Sequence, residues 1–204
     1  MNNKGLTLVE VIATLVVLSI VALIVTPNIA VSIKDYKKRT LESQLSAVEG
    51  ATKNWVADNI DKVNCTDDDS SALMVDINKL QTDAYLDEKL KNPNGGYLDS
   101  TDTFGLVSCK TVVDETNNLE TNYKYTYGAF LSINDYLEHM AIEYVKDNNN
   151  IDATVTTSTL QNEKYVYRTI KNLDGISVSI PSKTISVKVT TTNDGKYNYE
   201  TKMN

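Results

Sequence analysis

Lys4-Gly5-Leu6-Thr7-Leu8-Val9-Glu10, running straight into an uncharged stretch from Val11 to Ile33, is the part of the chain that decides the fold. The 23 residues of that stretch carry no formal charge. As a helix rising about 1.5 Å per residue they span about 34 Å, enough for a hydrocarbon core of about 30 Å. A cleaved secretory signal fits badly, because such signals have an apolar core of roughly 7–15 residues and then a small-residue cleavage site. Here the run is longer and is followed by Lys34-Asp35-Tyr36-Lys37-Lys38-Arg39. The segment therefore reads as a membrane helix with Lys4 inside, although the basic cluster beyond it works against a simple positive-inside count.

Two residues are out of place in a plain anchor. Glu10 puts a carboxylate at the start of the apolar run, where an unpartnered charge is strongly disfavoured. Either it marks the headgroup edge of the span or it has a partner to be named. Pro27 lacks the N–H that would bond the carbonyl of Leu23 and crowds the preceding turn, so a kink or local melting is expected there. In an ordinary bent anchor, neighbouring groups repair such a site.

The segment Lys4 to Glu10 closely resembles the cleavage and methylation motif of type IV prepilins. The resemblance implies that a membrane-embedded peptidase cuts after Gly5 and that the new amine of Leu6 is N-methylated. It also implies that Glu10 pairs with the N-terminal amine of a neighbouring subunit inside an apolar filament core. A buried carboxylate and a buried ammonium each disfavour burial alone, and one stagger leaves neither unpaired. Many members carry a proline at the position of Pro27, where the helix loosens in the filament. Two departures are Leu6, where most members have phenylalanine, and a short leader, 1–5, whose basic charge is Lys4 alone.

What the resemblance implies for the whole chain is an α+β pilin fold, a long N-terminal helix packed against a C-terminal antiparallel sheet. Residues 6–33 would be the membrane and filament-core half of the helix, 34–59 its amphipathic half, and 60–204 an extracellular head. The function implied is that of a major or minor pilin in a type IV pilus, serving tasks such as adhesion. The alternative is a pseudopilin of a secretion or DNA-uptake machine, which would share the same N-terminus. Implied partners are other pilins in a homo- or mixed filament, the prepilin peptidase and methyltransferase, the membrane before assembly, and indirectly an assembly platform with its ATPases.

The residues beyond the apolar run agree with a helix that continues. Ile33, Tyr36, Thr40, Leu41, Leu45, Val48, Thr52, Trp55 and Val56 recur at steps of three and four, with Lys37, Lys38, Glu42, Glu49 and Lys53 mostly between them. No proline interrupts Asn28 to Asn59, so one helix of over 50 residues is expected, its stripe packed under a sheet. A short helix and turn are expected over Val75–Asp87, and Asn92-Pro93-Asn94-Gly95-Gly96 is a strong breaker. That segment resembles the corresponding one in pilin-like proteins of Gram-positive bacteria. Strands are expected at Leu106–Val113, Tyr123–Phe130, Tyr165–Ile170, Ile176–Ile180 and Ile185–Val189, and a helix at Ile133–Val145. Asn193-Asp194-Gly195 signals a hairpin into Tyr197 and Tyr199. No internal repeat is apparent.

Composition narrows the remaining functions. The chain has 204 residues, 41% hydrophobic and 23% charged, enough for one core of ordinary size. A net charge of -7 argues against a nucleic-acid partner. Cys65 and Cys109 would lie outside the membrane, where they are either bridged or two buried thiols. With His139 the only histidine, no metal site is expected. Asp67-Asp68-Asp69 lacks the glycine and downstream glutamate of an EF-hand loop, and reads as solvated rather than Ca²⁺-holding. Twelve tyrosines suit sheet packing better than an adhesive surface. No cofactor is expected, nor an enzyme: there is no glycine-rich phosphate loop, nucleophile elbow or metal constellation.

Overall fold

The structure is a computed structural model that describes residues 8–65, 70–87, 89–113, 121–192 and 194–204; the side chains of 21–28, 30, 113, 121 and 122 are outside it as well. Gly5, Leu6, the leader, Asp67-Asp68-Asp69 and Asn193 of the hairpin turn therefore lie outside the described residues.

Helix α1 (Leu8–Asp58) runs unbroken for 51 residues, as the periodicity predicts. The head that follows contains β1 (Ser71–Asp76), α2 (Ile77–Thr82), β2 (Phe104–Val113), β3 (Thr121–Phe130), α3 (Ile133–Asp147), β4 (Ala153–Thr156), α4 (Thr157–Asn162), β5 (Thr169–Lys171), β6 (Ser177–Val178), β7 (Thr184–Thr191) and β8 (Tyr197–Met203). One sheet has the order β3-β2-β1-β5-β6 and a second the order β4-β7-β8. The fold class is α+β, a long helix packed on sheets. The expected single antiparallel sheet is corrected to two, and the first is mixed because β1 and β5 are parallel.

The elements stack as helix, sheet, helix, sheet. Val75, Val107 and Cys109 of the first sheet point toward α1 and meet Val48, Ala51, Trp55 and Val56. Ala72, Phe104, Leu106 and Phe130 point the other way and meet Tyr136, Leu137, Ala141 and Val145 of α3. Both faces are covered, which is why β2 opens as the nearly continuous apolar run Phe104-Gly105-Leu106-Val107. The second sheet closes α3 from beyond with Val155, Ile185 and Val187. Its outer face turns polar at Thr154, Ser186 and Lys188, and the Thr154 and Ser186 hydroxyls meet across the strands at 3.1 Å. A face of that kind needs no further layer. Ser132 caps α3 by accepting from the Asp135 amide at 3.2 Å, while the Asp135 carboxylate accepts from the Leu131 amide at 2.9 Å.

The second half of the head repeats the first, contrary to the sequence reading. Residues 71–107 align without a gap on 151–187, sharing Val75/Val155, Leu80/Leu160, Gln81/Gln161, Tyr85/Tyr165, Lys91/Lys171, Asn92/Asn172, Gly95/Gly175 and Val107/Val187. Eight identities in 37 positions escape notice, but the backbone duplicates in detail. Ala84 and Lys164 both take left-handed conformations, φ 62° and 64°. Tyr85 and Leu86 donate their amides to the Leu80 carbonyl, as Tyr165 and Val166 do to that of Leu160. The Gln81 side chain donates to the Asp87 carbonyl and that of Gln161 to the Tyr167 carbonyl. Strand order β1-β2-β3 recurs as β4-β7-β8, and α3 plays the part of the second half of α1, with Leu137, Ala141, Tyr144 and Val145 in the places of Val48, Thr52, Trp55 and Val56.

Candidate functional site

The chain's most unusual surface is the first half of α1. Leu15, Val16, Val17 and Leu18 are consecutive, so at about 100° per residue they point to all sides of the helix. Each is more than half exposed, from 53% for Val16 to 63% for Leu18. Ile12, Ile20, Ile29, Val31 and Ile33 are also exposed. A helix apolar all round is one that is buried in its working environment, and among the described residues nothing in the head covers these side chains. Hydroxyls within the run are satisfied by the helix itself: Thr14 donates to the carbonyls of Glu10 and Val11 at 3.0 and 2.8 Å, and Ser19 to that of Leu15 at 2.7 Å. The Thr14 and Ser19 hydroxyls therefore need no water.

Glu10 stands in the first described turn of α1 with an exposed side chain. It lies five positions after Gly5 and four after Leu6, both of which lie outside the described residues. α1 continues through Pro27. Among the described residues no helix is long and apolar enough to cross a membrane. The uncharged run from Val11 to Ile33 includes 21–28 and 30, whose side chains are outside that description.

The second half of α1 is clamped to the head. Trp55 is fully buried and its indole N–H donates to Asp83 Oδ2 at 3.0 Å. Lys79 Nζ reaches Asp83 Oδ1 at 2.8 Å, and these two contacts, Lys79 first, hold the Asp83 carboxyl below the usual carboxylate range. The Tyr85 hydroxyl donates to Asp58 Oδ2 at 2.7 Å, fixing the last turn of the helix. At Gly105 α1 lies close against the sheet: a Cβ there would lie 1.9 Å from Thr52 Oγ1. Cys65 and Cys109 form a disulfide, Cα atoms 4.5 Å apart, that ties the connection after α1 to the middle of β2. This connection is longer than its counterpart between α3 and β4, and Val189 stands where Cys109 would repeat. The bridge thus belongs to the first copy alone.

The remaining candidates give little chemistry. Tyr125 and Tyr127 stack at 6.4 Å on the α1 side of β3, with Lys53 Nζ 5.5 Å from the Tyr127 ring, while Tyr123 is exposed. Among the described residues no group of three or more His, Cys, Asp or Glu is placed to hold a metal ion. Sequence reasoning missed the Tyr85–Asp58 and Trp55–Asp83 clamps; the signal for the first was the twice-occurring Leu-Gln-x-x-x-Tyr at Leu80 and Leu160.

Residues 1–26 match the family model described as the prokaryotic N-terminal methylation motif. The ComG operon protein 3 homolog of Bacillus licheniformis is 27% identical over 95 residues, 47% of this chain and 87% of that relative. The N-terminal motif and this likeness together support a type IV pilin-like protein. No solved structure matches it. For a pilin-like chain the motif implies processing by a prepilin peptidase, anchoring in the membrane before assembly, and entry into a pilin-like filament. The half of α1 left bare by the head is continuous with that motif, and the clamped half carries the head. The relative is about half as long as this pilin-like chain, so the second copy of the head motif exceeds what that relative has room to match.

Proposed function

We propose that the chain is a structural subunit, major or minor pilin, of an extracellular type IV pilus and performs no catalysis. The observation that carries this reading is the run of apolar residues Leu15 to Leu18, exposed on all sides of α1 within the stretch that the processing motif opens. Cleavage after Gly5 and methylation of Leu6 leave an N-terminal amine close to Glu10. Before assembly residues 6–33 span the membrane with the head outside, and in the filament the same surface packs against its neighbours. There the Glu10 carboxylate of one subunit meets the Leu6 amine of another, setting the stagger. The helix around Pro27, short of one backbone hydrogen bond, is where it yields as the core packs. Movement of subunits between membrane and filament draws on separate assembly proteins.

The second reading is a pseudopilin of a secretion or DNA-uptake machine, favoured by the likeness to a ComG operon protein homolog. Shearing surface fibres from the native cell and identifying their proteins separates the two. This chain in the fibres, in bulk or in trace, supports the pilin; its absence from fibres while it is present in the membrane supports the pseudopilin.

A further inference from the structure

The internal repeat contains one contact between its copies that each copy could make again. β5 of the second copy lies parallel beside β1 of the first, with Ser71 opposite Thr169, Ala72 opposite Ile170 and Leu73 opposite Lys171. In the first copy the equivalent of β5 is residues 89–91. They form the same small hairpin: Lys91 bridges Tyr97 as Lys171 pairs with Ser177, and Leu98 donates its amide to the Leu90 carbonyl at 2.9 Å. In the second copy the equivalent of residues 71–73 is 151–153, leading into β4, the edge strand of the second sheet. Among the described residues neither of these two outer edges has a strand partner.

We propose that residues 89–91 of one chain add as a parallel strand to residues 151–153 of a second copy, Lys89 opposite Ile151, Leu90 opposite Asp152 and Lys91 opposite Ala153. The occupant is set by the molecule's own precedent, because the same two segments, one repeat along, already pair in that register. Lysine on an edge strand ordinarily discourages pairing, but Lys171 holds the register position of Lys91 and is paired. The contact is heterologous, so repetition extends it along a line of subunits rather than closing a dimer.

It is also a thinner contact than the internal one. In the first sheet Met74, Leu106 and Ser108 face the second copy; at the equivalent places the second sheet has Thr154, Ser186 and Lys188, which offer no seat for a helix. Edge hydrogen bonds alone form only where neighbours are held at high effective concentration. The inference therefore rests on the filament reading, with α1 supplying that concentration.

The test uses the full chain carrying Lys89→Cys and Ile151→Cys, both at exposed positions, in cells that assemble fibres. Opposed Cα atoms of paired strands lie within the disulfide range of about 4.4–6.8 Å. Oxidised, sheared fibres on a non-reducing gel are expected to show a ladder of covalent multimers about tenfold stronger than either single variant or the pair Lys89→Cys with Lys202→Cys on β8. Lys91→Cys with Ala153→Cys is expected to give the same ladder. Fibres that yield no more multimer than the controls overturn the strand pairing and leave the filament reading standing. Failure of the unsubstituted chain to enter any fibre removes both.

Discussion

Tyr165 donates its phenolic hydrogen to the Asp147 carboxylate at 2.8 Å, and in the preceding copy of the motif Tyr85 does the same to Asp58 at 2.7 Å. Each bond ties the turn after a short helix to the last turn of the long helix it packs on. The two pairs sit at the same place in both copies and hold the same joint.

These bonds give the head an alkaline limit. The hydrogen bond to Asp147, then burial, pushes the Tyr165 hydroxyl up to about 12, and Tyr85 is raised for the same reasons. An unfolded tyrosine titrates near 10. Between those values the native state holds more protons than the unfolded one, so stability is full below pH about 10 and falls as pH rises toward about 12. Urea unfolding across that window is expected to show a shallower fall for Tyr165→Phe than for the unaltered chain. An unchanged slope would contradict the assignment.

Gly105→Ala tests the seating of α1 on the first sheet. The added Cβ meets Thr52, itself fully buried and bonded to the Val48 carbonyl at 2.8 Å. Overpacking of this kind costs about 1–3 kcal/mol. Urea unfolding should show that loss, and the double variant Gly105→Ala with Thr52→Ala should recover part of it. A neutral single variant would mean the helix sits farther from β2.

Removing the bridge through Cys65→Ser with Cys109→Ala is expected to lower stability by roughly 4 kcal/mol, from a crosslink joining residues 44 apart. Reduction of the unaltered chain should lower its urea midpoint to about that of the double variant. If reduction leaves the midpoint unmoved, the staple is not contributing.

Glu10→Ala is expected to leave insertion in the membrane intact and to reduce fibres on the cell surface by about tenfold or more, since an amine would be left unpaired in an apolar core. Cell fractionation with quantitative immunoblotting of sheared fibres reads both. Normal fibre yield would remove Glu10 from the assembly role.

Much of this fold is legible in the sequence because its largest element is governed by simple periodicities. The uncharged run and then the Tyr36–Val56 stripe specify α1, and the boundaries of β2, β3, α3 and β7 fall within two residues of those expected. β1 and β4 are not legible. Each is a short strand running directly into a helix, so that Val75 and Ile77, or Val155 and Thr157, mix the two periods. The repeat escapes for a related reason: each copy keeps its turn residues but changes its faces, because the first sheet is covered on both sides and the second on one. Phe104 and Leu106 of the first copy thus become Thr184 and Ser186 in the second. The N-terminal motif is legible from the short stretch Lys4 to Glu10, while the Trp55–Asp83 and Tyr85–Asp58 clamps need the third dimension to bring distant side chains together.

The central claim is that this chain is processed and assembled as a pilin-like subunit, and the mass of the N-terminal peptide of the native mature protein tests it most directly. The account predicts a peptide that begins at Leu6 and carries one methyl group on its amine. A mature protein that retains Met1, or that begins elsewhere with an unmodified amine, would contradict it.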